Sequence, residues 1–393
     1  MKRLWTVLAV CLLLPASLLA AETTYDPFVL AAVTDASLED QTNLTITALE
    51  AAGFKVVGHH SPRENAQVIV VTSPELMSIA ALSDKGGYGA GQRVSVVRRD
   101  GATEVTFVNP LYIQHAYRLG GDMQPVYDQL AATLGFKETF GAEKNMTARK
   151  LAKYHYMVGM QRFDDPSELG TFDSYEAALR AVEGGLSRPE TGLSQVYRID
   201  IPGKNQTVFG IGMKAVGNEE AQLAIDEAHQ LTVVDFEGPA KVAYFPYELL
   251  VDGNRLEALH MRFRMAVHFP DLSMMGKHGF TQLMSSPGAT EDALKAMVTA
   301  TAPPVDVTWI DVRSGEEFSQ QHVPGALNIP YEEIDTGITA LGLQKDAAIY
   351  LYCGSGRRAG IAKETLDKLG YSQVVNVGGL DAALAKAQGA PPN

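Results

Sequence analysis

Cysteine is nearly absent. The chain of 393 residues holds two, Cys11 and Cys353. An excess of positive charge is missing as well: 33 Lys and Arg stand against 46 Asp and Glu, a formal net charge of −13. So acidic a chain has no long-range attraction for a phosphate backbone, which excludes nucleic acid as a partner class. It also repels small anions at a distance, so an anionic substrate would need a local positive site. Long apolar runs are lacking too. Leu4 to Leu14 falls short of the roughly 20 residues that cross a bilayer. No low-complexity segment is present, and the apolar content of 46% is ordinary for a globular protein.

What is there begins with "MKRLWTVLAVCLLLPASLLAAE". A basic start at Lys2 and Arg3, an apolar stretch, and small residues ending in Ala20 and Ala21 have the layout of a secretory signal peptide over residues 1–21. Cys11 sits inside the apolar stretch, against a lipoprotein signal, and these first residues hold no arginine pair. The expectation is export by the general route to the periplasm or beyond, with no stable membrane anchor after cleavage. Cleavage removes Cys11 and two cations. The remainder stands near −15, with Cys353 as its single thiol. Exported compartments oxidise thiols and use them in pairs. An unpaired thiol there is either buried and inert, or it does chemistry.

Periodicity divides the rest. From Tyr25 to Gly135, "FVLAAV", "FKVVG" and "AQVIVVTS" read as strands. "SLEDQTNLTITALEAAGF" reads as a helix with Ser37 as cap, and "PELMSIAALSD" as a helix opening on Pro74. Asp100-Gly101 marks a hairpin. The next segment repeats the order: "YHYMVGM" strand-like, "SYEAALRAVEGG" helical, two further strands, a helix over "NEEAQLAIDEAHQL" with Asn218 as cap, and a hairpin around Asp252-Gly253. His260, Met261, Met265 and His268 fall in a strand-like run. Pro303-Pro304 marks a boundary. The last part alternates strands and helices, the rhythm of a parallel sheet covered on both faces. The expected organisation is a signal peptide over 1–21, an α+β domain over 22–145, a second of similar element order over 146–285, and an α/β domain over 286–393.

The lone thiol lies in "YLYCGSGRRAGIA", where an apolar strand ends and a helix starts near Arg357. Sites in open α/β sheets form at the carboxyl ends of strands. Gly354 and Gly356 let the backbone bend and point N–H groups at a ligand. Those groups and the helix start make an anion-binding nest that also favours thiolate over thiol. Ser355 lies within the loop, and Arg357 and Arg358 add positive charge. The alternative is an inert cysteine in a turn.

Residues from about Thr308 to Leu380 resemble the rhodanese (sulfurtransferase) family, through "WIDVRSGEEFSQQHVPGALNIP", "YLYCGSGRRAGIAKETLDKLGY" and "VVNVGGL". They are most similar to its small exported single-domain members of the phage-shock type. The resemblance implies that Cys353 accepts a sulfane sulfur and becomes a persulfide. It implies that Gly354, Ser355, Gly356, Arg357 and Arg358 cradle that sulfur and a small anionic donor such as thiosulfate, and that a thiophilic acceptor takes the sulfur on. No cofactor and no metal are implied. Related phosphatases carry one more residue between Cys and Arg, and here that step holds Ala359. Asp311 and Arg313 are expected in a supporting polar network, and His322 as a brace for the turn before Gly325.

The first α+β segment resembles an uncharacterised α+β domain family through "ALEAAGFKVVG", "VIVVTSPEL" and "VTFVNP". This implies no activity. His59-His60 and the Met- and His-containing stretch 260–284 offer ligand types that suit Cu(I), but Met also fills core gaps and no ligand spacing repeats. Three readings of the whole chain stay open: an exported sulfurtransferase, a periplasmic binding or interaction protein whose last domain is a sulfur carrier or redox sensor, or, third, a copper-handling protein.

Overall fold

The computed structural model describes residues 22–299, 307–345 and 347–387. The signal peptide over 1–21 and the Pro303-Pro304 boundary lie outside them. The chain forms two compact units, one ending at Val298 and the other starting at Thr299.

The first unit holds two antiparallel sheets. Strands β1 (Phe28–Thr34), β2 (Lys55–Arg63), β3 (Ala66–Thr72), β4 (Gln92–Arg99), β5 (Ala102–Val108) and β6 (Glu138–Phe140) pair in the order β2-β3-β4-β5-β1-β6. Strands β7 (Ser167–Thr171), β8 (Leu193–Asp200), β9 (Gln206–Met213), β10 (Tyr247–Asp252) and β11 (Arg255–Ala258) pair as β8-β9-β10-β11-β7. Apart from β6, the two orders coincide, so the repeat seen in the element sequence extends to sheet topology. Local cues place the elements. Ser37, Ser73 and Ser174 each cap a helix by accepting a backbone N–H. Asp100 and Gly101 take φ of 53° and 82°, the left-handed pair that a two-residue hairpin turn needs.

The two sheets share one apolar core running from Phe28 to Val298. At its centre Arg93 of β4 donates to Glu248 at the equivalent place on β10 (2.6 Å), and Tyr197 donates to the same carboxylate (2.7 Å). Arg264 is fully buried, with its guanidinium carbon 4.2 Å from the Tyr244 ring centre and 5.1 Å from that of Tyr247. A buried charge so enclosed is strongly destabilising to unpair.

Several local expectations change. "YHYMVGM" forms no strand: Tyr154 and Tyr156 donate to the carbonyls of Ala266 and Leu272, and Gly159 turns the chain at φ 85°. The first strand of the second repeat is instead the short β7. The helix expected over 218–231 is two, Glu220–Ile225 and Glu227–Val234. Asp226 breaks it by capping the second, and Asn218 caps neither. The strand-like run through His268 is the helix Met261–His268, opened by His260 accepting the Arg262 N–H. Its His268 is buried, bonded to the Arg264 carbonyl (2.8 Å) and facing Arg93 (3.3 Å). His60 is held by the buried Glu227. The helix Ser286–Thr299 packs within the first unit: Glu291 accepts from Ser167 (2.6 Å), and the Met297 carbonyl accepts from Arg188. The structural division therefore falls at Thr299 rather than at 286.

The second unit is a four-stranded parallel sheet in the order β13-β12-β14-β15, from β12 (Thr308–Asp311), β13 (Leu327–Asn328), β14 (Ile349–Cys353) and β15 (Val374–Gly379). Each face has its own apolar cluster. Ile349, Leu351 and Cys353 pack with Ile334, Ile338, Ala359 and Leu366, and Tyr352 packs on the other face with Val323 and Ala383. This alternation along β14 decides where the thiol points.

Candidate active site

β14 is a continuous apolar strand, as a parallel strand covered on both faces must be. It ends at Cys353, which is 1% exposed, while Gly354 and Ser355 beside it are exposed. Gly356 ends the loop at φ 89°, and the helix Arg357–Lys368 begins at the next residue. Only glycine takes this conformation without strain. A Cβ there would also stand 3.1 Å from Gly378 Cα. The Gly356 N–H donates to Cys353 Sγ (3.1 Å).

Two opposed effects set the thiol's acidity. Burial pushes its pKa up, but the backbone N–H groups of Ala359, Ser355, Gly356 and Arg358 favour the anion, and the net result is a pKa below the ordinary thiol value. The loop is a nest aimed at sulfur.

Arg358 turns toward Glu317 in a bidentate pair, Nη1 to Oε2 at 2.7 Å and Nη2 to Oε1 at 2.9 Å. The Arg358 hydrogen bond is the main cause that holds the Glu317 carboxyl down to about 2, against the opposing effect of its partial burial. Arg358 is raised above its usual value, first by Glu317, with the charge and hydrogen bonding of Cys353 adding to it. The guanidinium thus lies between a carboxylate and the thiol. Arg357 is exposed.

Two positioning residues escaped the sequence reading. Glu317 stands third in the helix Gly315–Gln320 and completes a capping box with Ser314. The Ser314-x-x-Glu317 spacing was a visible cue for the cap, though not for the contact with Arg358. Asn376 of β15 donates to the Gly356 carbonyl (2.9 Å) and accepts from the Gly378 N–H (3.0 Å), tying the loop to the next strand. Asp311 and Arg313 form a buried pair whose Nη2–Oδ2 distance is 2.6 Å. Asn328 bonds both of their carbonyls at 3.0 Å. His322 accepts nothing from the loop. It stacks on Phe318 with ring centres 3.9 Å apart, and its Nδ1 lies 2.9 Å from the Phe318 carbonyl.

Residues 290–386 match the rhodanese-like domain family. Thiosulfate sulfurtransferase PspE of Escherichia coli (strain K12) is 45% identical over 82 residues, covering 21% of this chain and 79% of that protein. The chain belongs to the rhodanese family. The putative sulfur carrier protein YrkF of Bacillus subtilis (strain 168) is 33% identical over 102 residues, 26% of this chain and 52% of the relative. A solved rhodanese with anions from E. coli is 43% identical, covering 19% of this chain and 89% of that one, with a TM-score of 0.19. The rhodanese domain carries a rhodanese-type sulfurtransferase site, and it occupies the C-terminal quarter of the chain.

A pH profile tests the electrostatics of this rhodanese loop. The thiolate is the nucleophile, so kcat/KM for a sulfur donor is expected to rise as Cys353 ionises. Its midpoint should lie below the ordinary thiol value of roughly 8.5. The sign for stability follows. An acid whose pKa is depressed by folding stabilises the fold above its unfolded pKa, and this is lost as pH falls through the folded value. Glu317, held near 2, keeps the Arg358 pair charged throughout, so the acidic limb belongs to the thiol. A midpoint at or above the ordinary thiol value would show that burial outweighs the four N–H groups.

Proposed function

We propose that the chain is an exported sulfurtransferase that takes a sulfane sulfur from thiosulfate, or a donor of like charge, and passes it to a thiophilic acceptor through a Cys353 persulfide. The observation that carries the reading is the thiol itself: buried at the end of β14, cradled by backbone N–H groups, and shifted toward the thiolate. The Cys353 thiolate attacks the outer sulfur of thiosulfate. The new bond joins Sγ to that sulfur, the sulfur–sulfur bond of thiosulfate breaks, and sulfite leaves with the electron pair. No general base is required, because the nucleophile reacts as the thiolate, the form that the backbone N–H groups favour. An acceptor nucleophile then attacks the outer sulfur of the persulfide and the Cys353 thiolate is regenerated. The N–H groups stabilise sulfur that carries negative charge before and after the transfer. Export rests on the basic, apolar and small-residue order of the first 21 residues.

Similarity to the putative sulfur carrier protein YrkF keeps a second reading in view, a carrier or sensor that holds sulfur and turns over slowly. Steady-state turnover separates the two. For both, incubation of the mature protein with thiosulfate is expected to add one sulfur atom by intact mass, removable by cyanide. If no adduct forms while Cys353 is a free thiol, the persulfide reading is overturned.

A further inference from the structure

A second cationic site lies in the first unit, apart from any group used above. Between the two repeats, residues 144–163 contain Lys144, Arg149, Lys150, Lys153 and Arg162 and no acidic residue, in a chain whose net charge is −13. Part of this run folds around a pocket of about 660 Å³ lined by Arg118, Ala152, Lys153, His155 and Arg162. His155 and Arg162 also line an adjoining pocket of about 330 Å³ whose other walls include Gly159 and Asp165. Every ionisable side chain lining the larger pocket is basic.

Arg118 is built into place. It adopts φ 52°, a left-handed conformation uncommon for a non-glycine residue. Its Nε donates to the Ala152 carbonyl (2.8 Å), its Nη1 to Asp164 (2.8 Å), and its guanidinium carbon stands 5.5 Å from the Phe163 ring centre. These contacts leave Nη2 uncommitted among the described residues. Asp164 offsets part of the Arg118 charge, and Asp165 faces the adjoining pocket and accepts the Arg162 backbone N–H (3.1 Å). Neither carboxylate lines the larger pocket, and among the described residues the Lys153 ammonium and Arg162 guanidinium form no ion pair. A fixed guanidinium, two further cations and an imidazole converging on one concavity form an arrangement that recognises clustered negative charge.

We propose that this pocket binds a small multiply charged anion of the pyrophosphate class. Its volume lies in the range of small-molecule sites, roughly 300–1,000 Å³, larger than a single sulfate needs. The site is separate from the rhodanese loop and does not depend on the sulfurtransferase reading.

The test is calorimetric titration of the full mature chain with inorganic pyrophosphate at low and high salt. Three proteins are compared: wild type, the pocket variant Lys153→Gln/Arg162→Gln, and the loop variant Arg357→Ala/Arg358→Ala. Both pocket positions are exposed, and an unchanged Tm confirms that the variant is folded. Saturable binding is expected in wild type and in the loop variant. It should weaken at least tenfold in the pocket variant and decline as salt rises. Absence of saturable binding in wild type, or binding lost in the loop variant and kept in the pocket variant, overturns the proposal. A sedimentation arm with phosphatidylglycerol vesicles separates a free anion from a lipid headgroup. Vesicle binding that needs Lys153 and Arg162, without binding of free pyrophosphate, also overturns it.

Discussion

Cys353→Ser protein is expected to lose turnover with thiosulfate, by roughly 10³-fold or more, the scale seen when a covalent nucleophile is removed. The substitution is close to isosteric. The side chain is buried and accepts the Gly356 N–H, and a serine oxygen can accept the same bond, so the fold and loop should survive. What changes is the nucleophile. The N–H groups that lower a thiol's pKa cannot bring the far weaker acid of an alkanol to ionisation, and a hydroxyl has no comparable affinity for sulfane sulfur. The chain has no other cysteine between residues 22 and 393 to take over. Steady-state cyanide-coupled assay and intact mass give two readouts, and both should go to background. Retained turnover in folded Cys353→Ser protein would sink the assignment of the site.

How much of this was legible in the sequence depends on the reach of each interaction. Caps and turns are written locally. Ser37, Pro74 and Asp100-Gly101 each act within four residues and each is read in the sequence, while the caps Ser73 and Ser174 are equally local. The Cys353 loop was legible for the same reason. A strand end, two glycines and a helix start lie within a few residues, and the N–H groups that lower the thiol pKa are those of the loop and of the first turn of the helix that follows it. The failures lie where a distant partner decides. "YHYMVGM" alternates like a strand, but Tyr154 and Tyr156 find carbonyls more than 100 residues away. β7 is a five-residue edge strand held by β11, with little of its own to signal it. The run ending at His268 carries apolar residues with no clear polar face because the helix there is buried at every position but Arg262, taking Arg264 and His268 into the core, and such a run reads equally as strand or helix. Glu317 belongs with these. Its cap is local, but its partner Arg358 lies 41 residues on. The two meet because parallel β12 and β14 bring their carboxyl ends side by side.

That contact changes what Arg358 is expected to do. Arg358→Ala should lower kcat/KM for thiosulfate by about tenfold or more. The loss of a charge-assisted bond is worth roughly 1.5–3 kcal/mol, and 1.36 kcal/mol is a decade in rate. Two effects contribute. The cradle loses a cation beside the thiolate, and the Glu317 carboxylate loses its bidentate partner. The pair is about a third exposed, so solvent screens both effects and the orphaned carboxylate stays hydrated and ionised. A bare carboxylate near the loop repels a dianionic donor. The double variant Arg358→Ala/Glu317→Gln should therefore recover part of the loss, which a simple missing contact would not allow. Arg358→Lys should restore charge but not the two-pronged bond, and fall between. Arg357→Ala, which removes an exposed cation, should cost less than Arg358→Ala, and its effect should fade as salt rises. Kinetics of all four variants at low and high ionic strength provide the check. Wild-type kcat/KM in folded Arg358→Ala protein would mean that the backbone N–H groups alone hold the donor. Arg358 would then serve only to fix Glu317 and its helix. A double variant no better than the single one would remove the repulsion from Glu317 and leave the lost cation as the whole effect.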